Sequence, residues 1–255
     1  MPAASVEQVG ATVLRGSNDD LWMADLDGDS PPQRRSRRRL YRLAVTLAAL
    51  AGWVDAIAFT EWRGLYVSFM SGNSTALAAA LSSANWPQIT QLCGVLFGFV
   101  GGVVCGELLA KATGRWDHTL VLLAEALLLG AALGTIVLSG ATAAAALLLA
   151  VAMGLQNASV HQIGAMSVAV TYVTGTLVHL GRGLSAAVRG EGSWTAPLPY
   201  LGLWLGLVSG AAAGAVMAHL SAPGAIAIAG VLALWLSATV APPAMQIQSA
   251  EEFKS

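Results

Sequence analysis

The chain has 255 residues, 56% of them apolar and 11% charged, with a formal net charge of −1 and a mean hydropathy of +0.66. Soluble domains carry about 25% charged residues, whereas residues 40–241 hold six basic and six acidic side chains, too few to wet the surface of a water-soluble fold. A disordered chain, a nucleic-acid-binding protein and a secreted disulfide scaffold are excluded as well, leaving an all-α polytopic membrane protein.

In chain order, residues 1–33 set Glu7, Asp19, Asp20, Asp25, Asp27 and Asp29 against Arg15 alone, and close on Pro31-Pro32. Such a stretch cannot bury a core, so 1–39 reads as a disordered acidic tail that ends in a basic cluster, Arg34, Arg35, Arg37, Arg38 and Arg39. A basic cluster directly before an apolar run holds the N-terminus in the cytoplasm, where it can touch anionic lipid heads.

The transmembrane domain is expected over 40–241. Apolar runs long enough to span cover about 40–60, 89–110, 119–139, 142–162, 199–220 and 223–241. Cys93 and Cys105 fall on one of these runs, roughly 18 Å apart along a helix, beyond disulfide reach, and read as small buried thiols. Two further segments, 64–83 and 165–188, are apolar but broken by small polar residues.

If both broken segments cross, there are eight spans, and Lys111 and Arg115 land outside. If both return to the side they left, there are six spans; Lys111, Arg115, Arg182 and Arg189 then join the N-terminal cluster, with Arg63 opposite. The positive-inside rule favours six transmembrane helices plus two re-entrant segments, with residues 242–255 as a cytoplasmic C-terminal tail.

Each broken segment has a leading part that favours extended chain (65–70 and 167–173) and a trailing part that favours helix. Ser71 or Asn73 in the first, and Thr174 in the second, are natural N-caps. Exposed backbone at mid-membrane depth must line a cavity or be covered by protein, and a half-helix N-terminus there is a ready place for an anion or polar group.

The halves also align. Gly52-Trp53-Val54-Asp55-Ala56 lies over Gly154-Leu155-Gln156-Asn157-Ala158 at an offset of 102, and Ser71-Gly72-Asn73 over Thr174-Gly175-Thr176 at 103. Gly94, Gly98, Gly102 and Gly106 lie over Gly202, Gly206, Gly210 and Gly214 at 108. Three true spans per half make this a 3+3 inverted repeat, about 40–139 and 142–241, the plan of many secondary transporters. Glycines four apart share a helix face and predict close helix packing; a sliding surface between moving bundles is the alternative.

Asp55 and Glu125 are carboxylates inside apolar runs, which are usually functional or paired. Asp55 reads as a proton- or cation-coupling residue, with Asn157 as its neutral counterpart; the competing reading has Asp55 hydrogen-bonded to capping amides for structure. Glu125 is a second coupling candidate.

The motifs Gly52-Trp53-Val54-Asp55-Ala56, Ser71-Gly72-Asn73, Gly154-Leu155-Gln156-Asn157-Ala158 and Tyr172-Val173-Thr174-Gly175-Thr176-Leu177 together resemble the YoaK-like bacterial membrane proteins, a domain-of-unknown-function family. Ser71 stands where that family usually has threonine, which keeps the hydroxyl. The resemblance covers about 40–241 and implies a multi-pass protein of the bacterial cytoplasmic (inner) membrane, but no substrate and no catalytic residue.

The favoured function is secondary transport of a small polar or anionic solute by alternating access. The solute site would comprise Asp55, Ser71, Gly72, Asn73, Gln156, Asn157, Thr174, Gly175 and Thr176. A channel or passive pore is one alternative, and a membrane scaffold or regulatory protein is another. No Ser/His/Asp or Cys/His arrangement, metal-ligand spacing or phosphate loop occurs, so neither an enzyme nor a cofactor or metal is expected. The expected partners are the bilayer and a solute; the sequence leaves homo-oligomerisation open.

Overall fold

The structure, a computed structural model, describes residues 31–62, 64–113, 117–161 and 173–239. The acidic tail up to residue 30, the C-terminal tail and the extended stretch expected before Val173 lie outside the described residues. Seven helices and no strand occur among those described: α1 Pro31–Glu61, α2 Met70–Ser82, α3 Trp86–Thr113, α4 Asp117–Ser139, α5 Thr142–His161, α6 Val173–Val188 and α7 Leu198–Thr239. Four stretches are long and apolar enough to cross a membrane: Arg38–Glu61, Trp86–Ala112, Thr119–Ser139 and Leu198–Thr239. Thr142–Ala158 is apolar but shorter.

One boundary moves. The basic cluster, expected at the end of a disordered tail, forms the first turns of α1. Arginine is a good helix former, and prolines are tolerated in a first turn, where their missing N–H groups have no intrahelical partner anyway.

At 42 residues, α7 would be roughly 63 Å long if straight, about twice a hydrocarbon layer of ~30 Å. It breaks at Ser221, whose backbone leaves the helix (φ −166°, ψ 105°), just before Pro223. The Ser221 hydroxyl accepts the Gly224 N–H at 3.1 Å, an N-cap for the second leg. That leg folds back: Ala218 and Ala225, on either side of the break, join Ile57 in one buried cluster. Trp53 Nε1–H donates to the Ala225 carbonyl at 3.0 Å.

Helix directions follow from the glycines. Gly206 rests on Val45, Gly210 on Ala49 and Gly214 on Trp53, so the first leg of α7 runs parallel to α1. Gly98 rests on Leu147, Gly102 on Val151 and Gly106 on Leu155 and Ala158, so α3 runs parallel to α5. At Gly52, Gly102, Gly154 and Gly210 the facing carbonyl occupies the place a Cβ would take. Gly202 faces the Tyr41 hydroxyl, but Gly94 departs from the expected packing register and meets nothing within 4 Å.

Along α4, Leu129 meets Gly230, while Leu133 and Ile136 meet the cluster around Ala225 and Ile226. The second leg of α7 is therefore antiparallel to α4. The turn 140–141 joins α4 to α5. Hence α1, α4 and the first leg of α7 all finish at one end of the bundle, where α3 and α5 begin. The chain between α1 and α3 leaves and regains that end, and the chain between α5 and α7 does the same at the opposite end. These two connections contain α2 and α6.

Small and aliphatic side chains fill the interior, among them Leu47, Val54, Leu129, Leu149, Met153, Ala229 and Ala233, all fully buried. Large apolar side chains such as Phe97, Leu127, Leu138 and Val231 face outward, as a surface solvated by lipid requires. The two thiols, expected to be buried, are not: Cys93 is partly exposed and Cys105 is exposed.

Candidate functional site

After α1 the chain turns at Gly64, where φ is +88° and the N–H bonds back to Phe59 O at 3.0 Å. Leu65 and Val67 then bury themselves in the bundle. Their extended backbone cannot satisfy its own polar groups, and two side chains do so instead. Asp55 Oδ1 accepts the Val67 and Ser68 N–H groups at 2.8 and 2.7 Å, and its Oδ2 accepts the Ser68 hydroxyl at 2.5 Å. Asn73 Oδ1 accepts the Tyr66 N–H at 3.0 Å while Asn73 Nδ2 donates to the Tyr66 carbonyl at 2.6 Å.

Neither Ser71 nor Asn73 caps α2. The helix starts at Met70 with Phe69 at its N-cap and no side-chain cap bond. The Asn73 side chain is instead committed to the extended chain, and the amides of Val67 and Ser68 ahead of the helix are taken by Asp55. Thr174 likewise lies inside α6, which starts at Val173.

Beside this loop lies a cavity of about 450 Å³. From α1 it is lined by Gly52, Asp55, Ala56, Phe59 and Thr60, and from the loop by Tyr66, Ser68 and Phe69. Leu207, Ala211 and Ala215 of α7 form the far wall, and Val173 at the head of α6 closes one side. Helix α6 runs antiparallel to α7, with Gly183 against Pro197 and His179 stacked on Tyr200 at 5.0 Å between ring centres. This packing carries its head to the level of Leu207, about halfway along the first leg of α7. The two returning segments thus meet across one cavity.

Of the residues expected to hold a solute, Asp55 lines this cavity. Gly72 supports it from behind, since a Cβ there would press on the Phe69 and Tyr66 rings at 2.8 and 3.0 Å. Asn73 is buried beneath the loop, whereas Ser71 and Thr174 are exposed and Gly175 and Thr176 are buried in α6. Gln156 is fully buried, its Nε2 donating to Leu47 O at 3.3 Å, and Asn157 bonds within α5 to Met153 O at 2.9 Å. None of these seven lines the cavity. Glu125 sits fully buried in α4, with neither carboxylate oxygen hydrogen-bonded.

The aromatic lining was not singled out from the sequence, although a signal existed. Gly52, Asp55, Ala56, Phe59 and Thr60 recur at helical spacing on one face of α1, which sets an aromatic ring one turn beyond the carboxylate.

A family model described as "Protein of unknown function (DUF1275)" matches residues 43–239. A UPF0700 transmembrane protein of Rhizobium meliloti (strain 1021) is 37% identical over 216 residues, which is 82% of this chain and 89% of that protein. No solved structure matches the chain.

Proposed function

The chain belongs to the DUF1275 family, membrane proteins of unknown function, and from that premise we propose that it is a secondary transporter of a small solute working by alternating access. The observation that carries this reading is the cavity of about 450 Å³ on which the heads of two returning segments converge. Irregular backbone at such depth is tolerated where it lines a cavity, and transporters built from repeats place their sites there.

Six crossings in a 3+3 inverted repeat accompany this reading, and the helix contacts support them. The offsets of 102 and 108 convert Val45 on Gly206 into Leu147 on Gly98, Ala49 on Gly210 into Val151 on Gly102, and Gly52 on Leu207 into Gly154 on Phe99; each member of these pairs is a contact. The leading helix of each half packs on the glycine ladder of the other half. The bodies that rock would therefore be these exchanged pairs, α1 with the first leg of α7 and α3 with α5.

Charge supports the orientation. Arg38, Arg39 and Arg42 at the start of α1, Lys111 near the end of α3 and Arg189 after α6 lie at one end of the bundle. Glu61 lies at the other. In a bacterial inner membrane the basic end faces the cytoplasm, together with both termini. Among the described residues the cavity lining holds one carboxylate and no basic side chain, which favours a neutral polar or cationic solute over an anionic one. Asp55 at the cavity and Glu125 in α4 are the residues available for coupling to protons or cations.

The test is counterflow. Purified protein in phosphatidylethanolamine/phosphatidylglycerol vesicles is preloaded with individual amino acids, sugars, organic acids or amines, and entry of the labelled solute is followed. Saturable uptake accelerated by internal solute is expected for one class. A panel that gives no movement, or movement indifferent to Asp55→Asn, overturns the reading.

A further inference from the structure

The cavity wall combines two features that its size and position do not require. One is the Asp55 carboxylate, and the other is a run of three aromatic rings. Phe59 and Tyr66 lie 5.3 Å apart between ring centres at 38°, and Tyr66 and Phe69 lie 5.3 Å apart edge to face at 79°. All three rings and Asp55 border the same space. Apart from Thr60 and Ser68, the remaining lining among the described residues, including Ala56, Val173 and Leu207, is apolar.

The hydrogen bonds at Asp55 bear on what can enter. Three donors converge on the carboxylate from the loop, the arrangement an anion attracts. Val67 and Ser68 N–H, which could have held an anionic solute, are consumed by the protein's own side chain. Among the described residues no lysine, arginine or histidine lines the cavity to balance the charge of Asp55, and a carboxylate without a counter-charge in a bilayer interior is costly. Aromatic faces attract cations through their ring quadrupoles and accept apolar groups equally well.

The geometry points to a small amphipathic organic cation as the ligand of this cavity, its charged nitrogen held between Asp55 and the Phe59, Tyr66 and Phe69 rings and its apolar body against α7 and Val173. At about 450 Å³, the space falls within the range of ~300–1,000 Å³ usual for small-molecule sites. This assignment deepens the transport reading by naming a class of solute for the same cavity.

Benzyltrimethylammonium serves as the probe, with its neutral isostere neopentylbenzene and the anion phenylacetate as comparisons. Binding to the full-length protein in nanodiscs is measured at equilibrium with labelled probe. Saturable binding is expected, competed by neither comparison compound, with Kd raised at least tenfold by Asp55→Asn and severalfold by Phe59→Leu. Phe59 is half exposed, so its replacement leaves the bundle folded even where Asp55→Asn does not, and thermal unfolding of each variant checks this. Equal competition by phenylacetate, or unchanged affinity in a folded Phe59→Leu protein together with a folded Asp55→Asn protein, overturns the assignment. Saturable cation binding without counterflow would sink the transport reading alone, whereas counterflow of a neutral or anionic solute without probe binding would sink the cation assignment alone.

Discussion

Asn73, in the first turn of α2, grips Tyr66 from both sides of its peptide backbone, accepting its N–H at 3.0 Å and donating to its carbonyl at 2.6 Å. The carboxamide does for the extended chain what a neighbouring strand would do in a sheet. Asn73→Ala leaves both Tyr66 groups unpaired inside the protein, a loss of about 1–3 kcal/mol for each group that water cannot reach. A clear fall in the midpoint of thermal unfolding in detergent is expected. Ser71→Ala, two residues earlier and exposed, should stay within about 0.5 kcal/mol of the parent. Equal effects of the two substitutions would contradict the assigned roles.

These two residues also show what the sequence made legible. Ser71-Gly72-Asn73 stood out as a polar interruption, and its depth in the fold followed from the flanking apolar runs and the turns between them. The apolar runs fall on helices, four stretches of which are long and apolar enough to cross a membrane, because length and hydropathy are local properties. The use of Asn73 was not legible, since a residue suited to capping its own helix looks the same as one that reaches back seven residues. Asp55 was similar. Its place within an apolar run was plain from its neighbours, but its bonds to Val67 and Ser68 depend on where the loop returns, and of the two readings open for it the geometry supplies the amide contacts of the second. The aromatic lining stayed hidden because Phe59, Tyr66 and Phe69 come from two elements that only the turn at Gly64 brings together.

The glycine ladders should respond to substitution according to contact, irrespective of their common spacing. At Gly210 a Cβ would occupy the place of the Ala49 carbonyl, and at Gly102 that of Val151. A backbone carbonyl cannot rotate away, so helices must separate; Gly210→Leu and Gly102→Leu are expected to abolish the monodisperse folded protein in gel filtration. Gly94 belongs to the same spacing but meets nothing within 4 Å, so Gly94→Ala should be neutral or raise stability by up to ~1 kcal/mol through helix propensity.

Helix α2 ends with Ala84 at φ 50°, a left-handed conformation that places the Asn85 N–H on Ala80 O at 3.0 Å. Helix α6 ends in the same motif with Gly190 at φ 73° and the Glu191 N–H on Ala186 O at 2.9 Å. An L-residue at such a position costs roughly 1–2 kcal/mol against glycine, offset in part by glycine's greater freedom in the unfolded chain. Ala84→Gly should therefore stabilise the protein by up to ~1 kcal/mol, whereas Gly190→Ala should destabilise it by a similar amount. Unfolding midpoints of the pair, measured in one detergent, check the opposite signs.

Orientation in the bilayer can be read from water access, because maleimides react with thiolates and so require an aqueous site. In a background carrying Cys93→Ala and Cys105→Ala, single cysteines at Ser83, Ser139 and Lys111 separate the two topologies. If α2 and α6 return to the side they left, Ser83 and Ser139 sit at the outer end of the bundle and label in intact cells with an impermeant reagent. Lys111 then labels only after permeabilisation. If both helices crossed, every one of these assignments would invert. Because α1 packs parallel to the first leg of α7 and α3 parallel to α5, inversion at Lys111 alone would be incompatible with the packing, and inversion at all three would require α3 to begin at the end opposite the one where α1 finishes. The 13 residues of α2 cover roughly 20 Å as a helix, about the depth the extended chain before it descends, and α3 begins at the end where α1 finishes, so external labelling of Ser83 and Ser139 is the expected outcome.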